Sequence, residues 1–375
     1  MKNSKTKVLY IHHSGAYGGA PKSMSYIIKN LDLNSYDAKL INIAEGPIND
    51  FFREQLDVPI EVAKGIKPFH GSTVAPKKLK LFLSNYLYVL PSFINAYKIL
   101  KRETPDLLHL NSTCLFVFAI AAKILGIPVI SHVREPLRRG LWGAPLRYFI
   151  KKNVNGVIAI SEYDLNSLRL GKSNILNKVI YNFVEKFDNR EIRRAVNLEG
   201  IFPEDIVLLY LARFAKGNGW ENLIDSAKKI TAKNPKVHFI LAGATATIDR
   251  HKFTNHNIHI IPFQQDVEPL LHRADIYVCP FTEPHFARGI IEASAFSLPI
   301  IGTNIGGVNE LVVHKKTGYL YNTKEEFDGY VTSLVNDEAR RIELGKAGYE
   351  FAFENFNMKK NLADTYHFYK KVLGR

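Results

Sequence analysis

Residues 7–31 read KVLYIHHSGAYGGAPKSMSYIIKNL, and their pattern decides the fold class. Lys7 to His12 (KVLYIH) is an apolar run of strand length. Gly15-Ala16-Tyr17-Gly18-Gly19-Ala20-Pro21 follows as a tight loop. Met24, Ile27, Ile28 and Leu31 then recur at helical spacing, so an amphipathic helix is expected behind the loop. Strand, loop and helix open a βαβ unit, in which strands lie parallel and crossovers are right-handed.

The same alternation runs outward from there. Ala38–Ile43, Leu107–Leu110, Ile127–His132, Gly156–Ile160 and Lys178–Tyr181 read as further strands, with Ser161 as a helix N-cap. Asp205–Leu211 (DIVLLYL) restarts the pattern. Strands at Val237–Ala242, Ile258–Ile261, Ile276–Val278 and from Pro299 to Gly302 follow, with helices at Glu221–Lys233 and Ile290–Phe296. Helices near 324–335 and 337–353, and a tail helix from Met358 to Leu373, finish the chain. Residues 185–204 are polar and without apolar period, which places a linker there. The reading is α/β, with one domain over 1–190, a second over 191–357, and residues 358–375 packing back on the first. Two open α/β domains predict a ligand cleft, with ligands at the carboxyl ends of the strands.

Composition narrows the class. The chain has 375 residues, 46% hydrophobic and 23% charged, which excludes disorder, collagen and coiled coil as its main state. Cys114 and Cys279 alone supply neither a disulfide framework nor a cysteine zinc site, and both lie in apolar runs expected to bury reduced thiols. No stretch reaches the roughly 20 apolar residues of a membrane span. Leu115–Ala122 stops at Lys123, and in residues 81–97 Pro91 is expected to break any helix. The first residues, MKNSKTK, run straight into a strand and lack the apolar core of a secretory leader. Residues 1–190 carry 27 Lys/Arg against 14 Asp/Glu, net +13, and residues 191–375 carry 23 against 22, net +1. The first half is expected to meet something anionic.

Three stretches carry chemistry. The loop around Gly18 and Gly19 joins a strand to a helix N-terminus, a place suited to phosphate. Its spacing fits neither Gly-x-Gly-x-x-Gly nor a Walker A loop. Arg213 and Lys216 follow the strand Asp205–Leu211, where two cations suit a diphosphate. Residues 280–310 read PFTEPHFARGIIEASAFSLPIIGTNIGGVNE. Glu283 sits in a polar loop, Glu292 on the next helix where its carboxylate can accept from a ribose diol, and Gly306-Gly307 make a second sharp loop before Glu310. No Asp-x-Asp and no His/carboxylate cluster at metal-ligand spacing is visible.

Taken together, these stretches resemble glycosyltransferase family 4. The resemblance rests on the Gly-Gly-Ala loop, His109-Leu110-Asn111-Ser112, Val157 to Ser161, Ile180-Tyr181-Asn182 and Arg213 with Lys216-Gly217 behind it. Most specifically it rests on 280–310, and it runs over residues 7–375, weakest between 45 and 105. It implies the GT-B architecture, two facing Rossmann-like domains with parallel sheets and a cleft. It also implies roles. Glu292 holds the nucleotide ribose, Glu283 the donor sugar and Arg213 the donor diphosphate, with Gly18 and Gly19 beside the diphosphate and acceptor. His285, Phe286, Ala287, Arg288, Gly306 and Gly307 belong to the donor site, and His109 is a candidate catalytic residue near the acceptor, although a lone histidine at a strand end is more often structural. Two departures stand out. Eight residues separate Glu283 from Glu292 where the family has seven, His285 being the apparent insertion. This leaves open whether Glu283 or backbone groups of His285 and Phe286 face the sugar. The family's lysine position, five after Arg213, is Asn218, while Lys216 comes two residues early. Either the loop is remodelled or Arg213 holds the phosphate alone.

The resemblance implies a retaining transfer from a nucleoside diphosphate sugar to a glycan or lipid-diphosphate acceptor, in cell-surface polysaccharide synthesis, with no bound metal or other cofactor and no nucleic acid partner. A non-catalytic glycosyltransferase-like scaffold is the alternative. Lys77, Lys78 and Lys80, and Arg138, Arg139, Arg147, Lys151 and Lys152 beside aromatic residues, suit an anionic membrane face. A cytoplasmic protein, peripheral on the inner face of the cell membrane, is the resulting expectation.

Overall fold

The computed structural model describes residues 5–73, 75, 77–188, 200–245, 248, 249, 253 and 256–374. The chain divides into two compact units. Unit 1 is residues 1–182 with 359–375, and unit 2 is residues 183–358.

Unit 1 is a seven-stranded sheet. Its strands are β1 (Thr6–His12), β2 (Tyr36–Asn42), β3 (Ile60–Val62), β4 (Leu107–Leu110), β5 (Val129–Val133), β6 (Gly156–Ala159) and β7 (Leu176–Val179). The order is β3-β2-β1-β4-β5-β6-β7 and every pairing is parallel. Its helices are α1 (Gly19–Lys29), α2 (Ile48–Gln55), α3 (Leu79–Leu87), α4 (Val89–Glu103), α5 (Phe116–Ile124), α6 (Ala144–Asn153) and α7 (Glu162–Ser167). In unit 2 the strands are β8 (Ile206–Leu211), β9 (Val237–Ala244), β10 (Ile258–Pro262), β11 (Ile276–Cys279), β12 (Ile300–Thr303) and β13 (Gly318–Tyr321), in the parallel order β10-β9-β8-β11-β12-β13. Its helices are α8 (Trp220–Lys233), α9 (Glu268–Arg273), α10 (Arg288–Ala295), α11 (Lys324–Asn336) and α12 (Glu338–Asn355).

The strands are short apolar runs because helices cover both faces, so no alternation is needed. β4, β5, β6, β9 and β11 are buried at every residue. Each sheet reverses its order once, between β1 and β4 and between β8 and β11. Ligands of doubly wound sheets bind outside the strand ends at that reversal.

The tail helix α13 (Met358–Val372) belongs to unit 1 from Lys359 onward. Asn361 Nδ2 donates to the Tyr181 carbonyl (2.7 Å), Tyr366 Oη to the Ile27 carbonyl (2.7 Å), and Lys178 pairs with Asp364 (2.8 Å). Gly156 lets it approach, since a Cβ there would stand 2.7 Å from the Phe368 ring.

Three sequence expectations are corrected. The unit boundary lies at 182/183 rather than 190/191, because the Val184 amide donates to Phe356, the Asp188 amide donates to Ala295, and Glu185 binds Arg288, all within unit 2. Of the expected linker at 185–204, residues 189–199 lie outside the described residues. Pro91 breaks no helix: it sits in the first turn of α4, where an amide has no intrahelical acceptor, and the chain breaks at Tyr88 instead. The strand expected at Lys178–Tyr181 is Leu176–Val179, in register with β6. Cys114 and Cys279 are free and buried, and burial raises both thiols, Cys114 to about 12.

Candidate active site

In unit 2 the sheet reversal gathers most of the residues singled out in the sequence. β8 ends at Leu211 and delivers Arg213 and Lys216, both exposed, on the loop leading to α8. β11 ends at Cys279 and delivers Glu283, also exposed. Hydrogen bonds lock the two loops together. The Gly217 carbonyl accepts from the amides of Thr282 (2.9 Å) and Glu283 (3.1 Å), and the Lys216 carbonyl accepts from Thr282 Oγ1 (3.2 Å). A Cβ on Gly217 would stand 3.2 Å from Glu283 Oε2, so glycine lets the carboxylate approach that backbone. Gly219 has φ +68°, and a Cβ there would fall 1.8 Å from the Pro280 carbonyl oxygen. Only glycine fits both demands.

Asn218, at the family's lysine position, turns inward. Its Nδ2 donates to the Arg213 carbonyl (2.8 Å), which also accepts from Tyr210 Oη (3.2 Å). Asn218 therefore braces the Arg213 backbone, and Lys216 joins Arg213 as an exposed cation of the loop.

The extra residue before α10 is absorbed locally. His285 stacks on Phe281 (centroids 4.3 Å apart, planes 13°) and its Nδ1 donates to the Glu283 carbonyl (2.8 Å). Burial lowers its pKa. Phe286 and Ala287 are buried at the start of α10. The second glycine loop closes over them. Gly307 has φ +83°, and a Cβ would meet the His285 carbonyl carbon at 2.5 Å. Gly306 precedes it, half-buried, in the same turn. On α10, Arg288 Nε donates to Glu292 Oε1 (2.7 Å) and Arg288 Nη2 to Glu185 Oε1 (3.0 Å). Glu292 thus carries one anchored carboxylate oxygen.

In unit 1, Gly18 caps α1 with an extended backbone and Gly19 is its first residue. The loop before them is braced: Asn42 Nδ2 donates to the Ser14 carbonyl (2.9 Å), and the Ile48 amide to the Gly15 carbonyl (3.1 Å). A Cβ on Gly15 would lie 1.9 Å from the Glu45 carbonyl oxygen.

His109 is not at an accessible strand end. It is fully buried, its Nδ1 lies 2.6 Å from Tyr369 Oη of α13 and its Nε2 3.2 Å from His132 Nδ1. Burial, with Arg134 nearby, holds its pKa down to about 3. Both nitrogens are occupied, an arrangement that suits the structural one of the two roles considered for it.

What the sequence reading missed lies close by. Arg134, at the end of β5 and buried, binds Asn111 Oδ1 (2.9 Å) and Asn182 Oδ1 (2.8 Å), and Asn111 reaches the Ala20 carbonyl on α1 (3.2 Å). The Arg134-Glu135-Pro136 run directly after a strand was the available signal. Beside it lies a small pocket of about 20 Å³ whose polar lining includes His13, His70, Ser72, Ser112, Thr113 and Glu135. Burial raises the Glu135 carboxyl and holds His13 down to about 4. Among the described residues, no three His, Cys, Asp or Glu side chains gather as metal ligands.

Comparison with known proteins agrees with this arrangement. The family profile "Glycosyltransferase Family 4" matches residues 17–186, and "Glycosyl transferases group 1" matches residues 191–351. The chain belongs to the family 4 glycosyltransferases and is built as GT-B, two Rossmann-like α/β units. It is 26% identical to the capsular polysaccharide biosynthesis glycosyltransferase CapM of Staphylococcus aureus, over 83% of this chain and 89% of that one. It is 23% identical to the UDP-Gal:alpha-D-GlcNAc-diphosphoundecaprenol alpha-1,3-galactosyltransferase of Escherichia coli, over 89% and 88%. Its fold is similar to that of Anabaena Alr3699/HepE in complex with UDP and glucose (TM-score 0.76, 21% identity, 97% of this chain and 99% of that one).

Proposed function

We propose that the protein transfers a sugar from a nucleoside diphosphate sugar to a lipid-linked or glycan acceptor, with retention of anomeric configuration, in the synthesis of a surface polysaccharide. The observation that carries this reading is the interlocked pair of loops at the β8/β11 reversal, one carrying Arg213 and Lys216 and the other Glu283. Solved relatives hold UDP, UDP-glucose or UDP with glucose, and curated relatives act in capsule synthesis and on a diphosphoundecaprenol acceptor.

The chemistry is governed by leaving-group charge. Arg213 and Lys216 stabilise the diphosphate as its oxygen separates from the sugar's anomeric carbon. The acceptor oxygen bonds to that carbon on the same face, and its proton passes to the departing phosphate oxygen. Glu283 orients the sugar. Glu292 accepts from the ribose diol with the carboxylate edge that Arg288 does not hold. Unit 1 binds the acceptor.

Glu292→Ala tests the donor assignment. The fold should hold, because Arg288 keeps Glu185. Losing a hydrogen bond to a charged group costs about 1.5–3 kcal/mol, so the donor dissociation constant measured by calorimetry should rise tenfold to a hundredfold. An unchanged constant would remove Glu292 from the ribose.

Transfer is proposed to need no bound metal, the diphosphate being neutralised by side chains. Dialysis against EDTA should leave the rate unchanged. Loss of activity with recovery on adding Mg²⁺ or Mn²⁺ would contradict it.

The net +13 of residues 1–190 is proposed to serve peripheral attachment to an anionic membrane. Arg138 and Arg147 take no part in it. Arg138 donates to the Ala75 carbonyl (2.7 Å), and Arg147, buried, donates to the Arg138 carbonyl (2.8 Å). Lys77, Lys78, Lys80, Arg139 and Lys152 are exposed. Among the described residues no helix is long and apolar enough to cross a membrane.

A further inference from the structure

Helix α3 and the first turns of α4 are inside out, whereas the rest of α4 buries Ala96, Ile99 and Leu100 in the ordinary way. A helix on a water-soluble protein buries its apolar stripe and exposes its polar face. Here the polar residues face inward. Asn85 is 6% exposed; its Nδ2 donates to the His70 carbonyl (2.8 Å) and its Oδ1 accepts from the His70 amide (3.0 Å). Ser92 is 1% exposed and accepts from the Lys67 amide (2.9 Å). Asn95 donates to the Gly65 carbonyl (2.9 Å). The leucines face outward: Leu79 is 73% exposed, Leu83 60%, Leu87 72% and Leu90 65%, with Ile94 at 43%. Phe82 packs on Trp142 (5.0 Å), and the residue before Trp142, Leu141, is 76% exposed.

Scattered apolar residues on a surface are ordinary, but a contiguous stripe marks a surface with an apolar partner. Charge identifies that partner. Residues 62–102 contain eight Lys or Arg and no Asp or Glu. A second copy of the chain, docked face to face, would bring the same cations together, because a two-fold contact pairs each patch with itself. An anionic bilayer satisfies both halves of the surface, with apolar side chains at the acyl boundary and cations at the phosphates.

We infer that residues 79–94 insert into an anionic bilayer, with Leu79, Leu83, Leu87, Leu90 and Ile94 in its acyl boundary and Lys77, Lys78 and Lys80 on its phosphates. The inference deepens the proposal of peripheral attachment and rests on it. It also gives that attachment a purpose. Asn85 clamps the backbone of His70, and Tyr86 packs edge-on against Phe69 (5.4 Å). Phe69 and His70 both line the polar pocket near Glu135. The inserted helix thus packs directly on a loop of unit 1, the unit proposed to bind the acceptor, which brings a lipid-anchored acceptor to the protein without leaving the membrane.

The test uses the full chain and vesicles of phosphatidylcholine with 30% phosphatidylglycerol. Wild type should co-sediment at low salt and keep a measurable fraction bound at 1 M NaCl, since screening removes the charge contribution but not apolar contact. Leu83→Ser/Leu87→Ser/Leu90→Ser should weaken binding at least 30-fold, with donor affinity unchanged. Lys77→Glu/Lys78→Glu/Lys80→Glu should weaken it at low salt only. Both native thiols are buried, so a nitrobenzoxadiazole probe on Leu87→Cys reports one site. Its emission should shift blue on binding and be quenched by acyl-chain doxyl lipids. A serine variant that binds like wild type, or a probe that stays in water while the protein is bound, overturns insertion and leaves attachment by charge standing. Wild type that ignores the vesicles at low salt, or sediments as a dimer with the probe shielded, overturns both.

Discussion

Arg213→Ala should lower kcat for sugar transfer by about 100- to 1,000-fold, the range seen when one preorganised donor to a developing anion is removed. The argument starts from how firmly the loop holds this residue. Asn218 and Tyr210 both donate to the Arg213 carbonyl, and Gly217 bonds to the loop carrying Glu283. The backbone beneath the guanidinium is set before substrate arrives, so little reorganisation is needed as charge builds on the diphosphate. Arg213 is exposed, so melting should move by no more than a degree or two. Arg213→Lys should recover only part of the rate, because an ammonium lacks the planar fork that grips two oxygens. Lys216→Ala should cost less than Arg213→Ala. Steady-state kinetics on the three variants decide the matter: a kcat for Arg213→Ala within threefold of wild type would take the guanidinium off the leaving group.

How much of this site was legible depends on how locally each residue is determined. Arg213, Glu283 and Glu292 could be placed from sequence because each directly follows a strand or sits on the next helix, and strand ends of doubly wound sheets face ligands. The two departures from the family pattern could not be resolved that way. The extra residue is taken up by His285 folding against Phe281, a ring contact no spacing rule announces. Asn218 reads as a lost lysine in the sequence, but the structure makes it the brace for Arg213. Arg134 went unnoticed because charged residues are expected outside, and only the buried Asn111 and Asn182 partners explain a guanidinium at a strand end.

The fold was legible where burial is two-sided. Strands such as β8 and β11 are plain apolar runs. It was illegible where a helix obeys a different solvent. Residues 79–94 have the right period for helices, but the face that turns inward carries Asn85 and Ser92, and Pro91 looked like a breaker until its first-turn position was known. Binary patterning assumes water outside. Where the outside is proposed to be lipid, the pattern inverts and the assumption fails.

His109 shows the remaining limit, since its partner Tyr369 lies 260 residues away, and its burial predicts acid sensitivity of unit 1. In the folded chain His109 takes a proton only near pH 3, and in the unfolded chain near pH 6.5. Between those values the unfolded state binds the extra proton, so acid favours unfolding. The neutral ring's contribution is complete above pH 6.5 and falls by about 1.4 kcal/mol per pH unit below it, roughly 2 kcal/mol by pH 5. His12 and His132, both held well below the ordinary imidazole value by burial, add in the same direction. Glu135, raised by burial, opposes them. Trp142 lies in unit 1 and Trp220 in unit 2, and the sequence has no other tryptophan, so a Trp220→Phe background reports unit 1 alone. In that background, urea unfolding should show unit 1 losing stability steeply from pH 7 to pH 5. His109→Gln, which cannot titrate, should be less stable at pH 7 yet lose about 2 kcal/mol less over the same interval. Parallel losses in the two proteins would mean that His109 is reached by protons while folded, and the packing role assigned to it would fail.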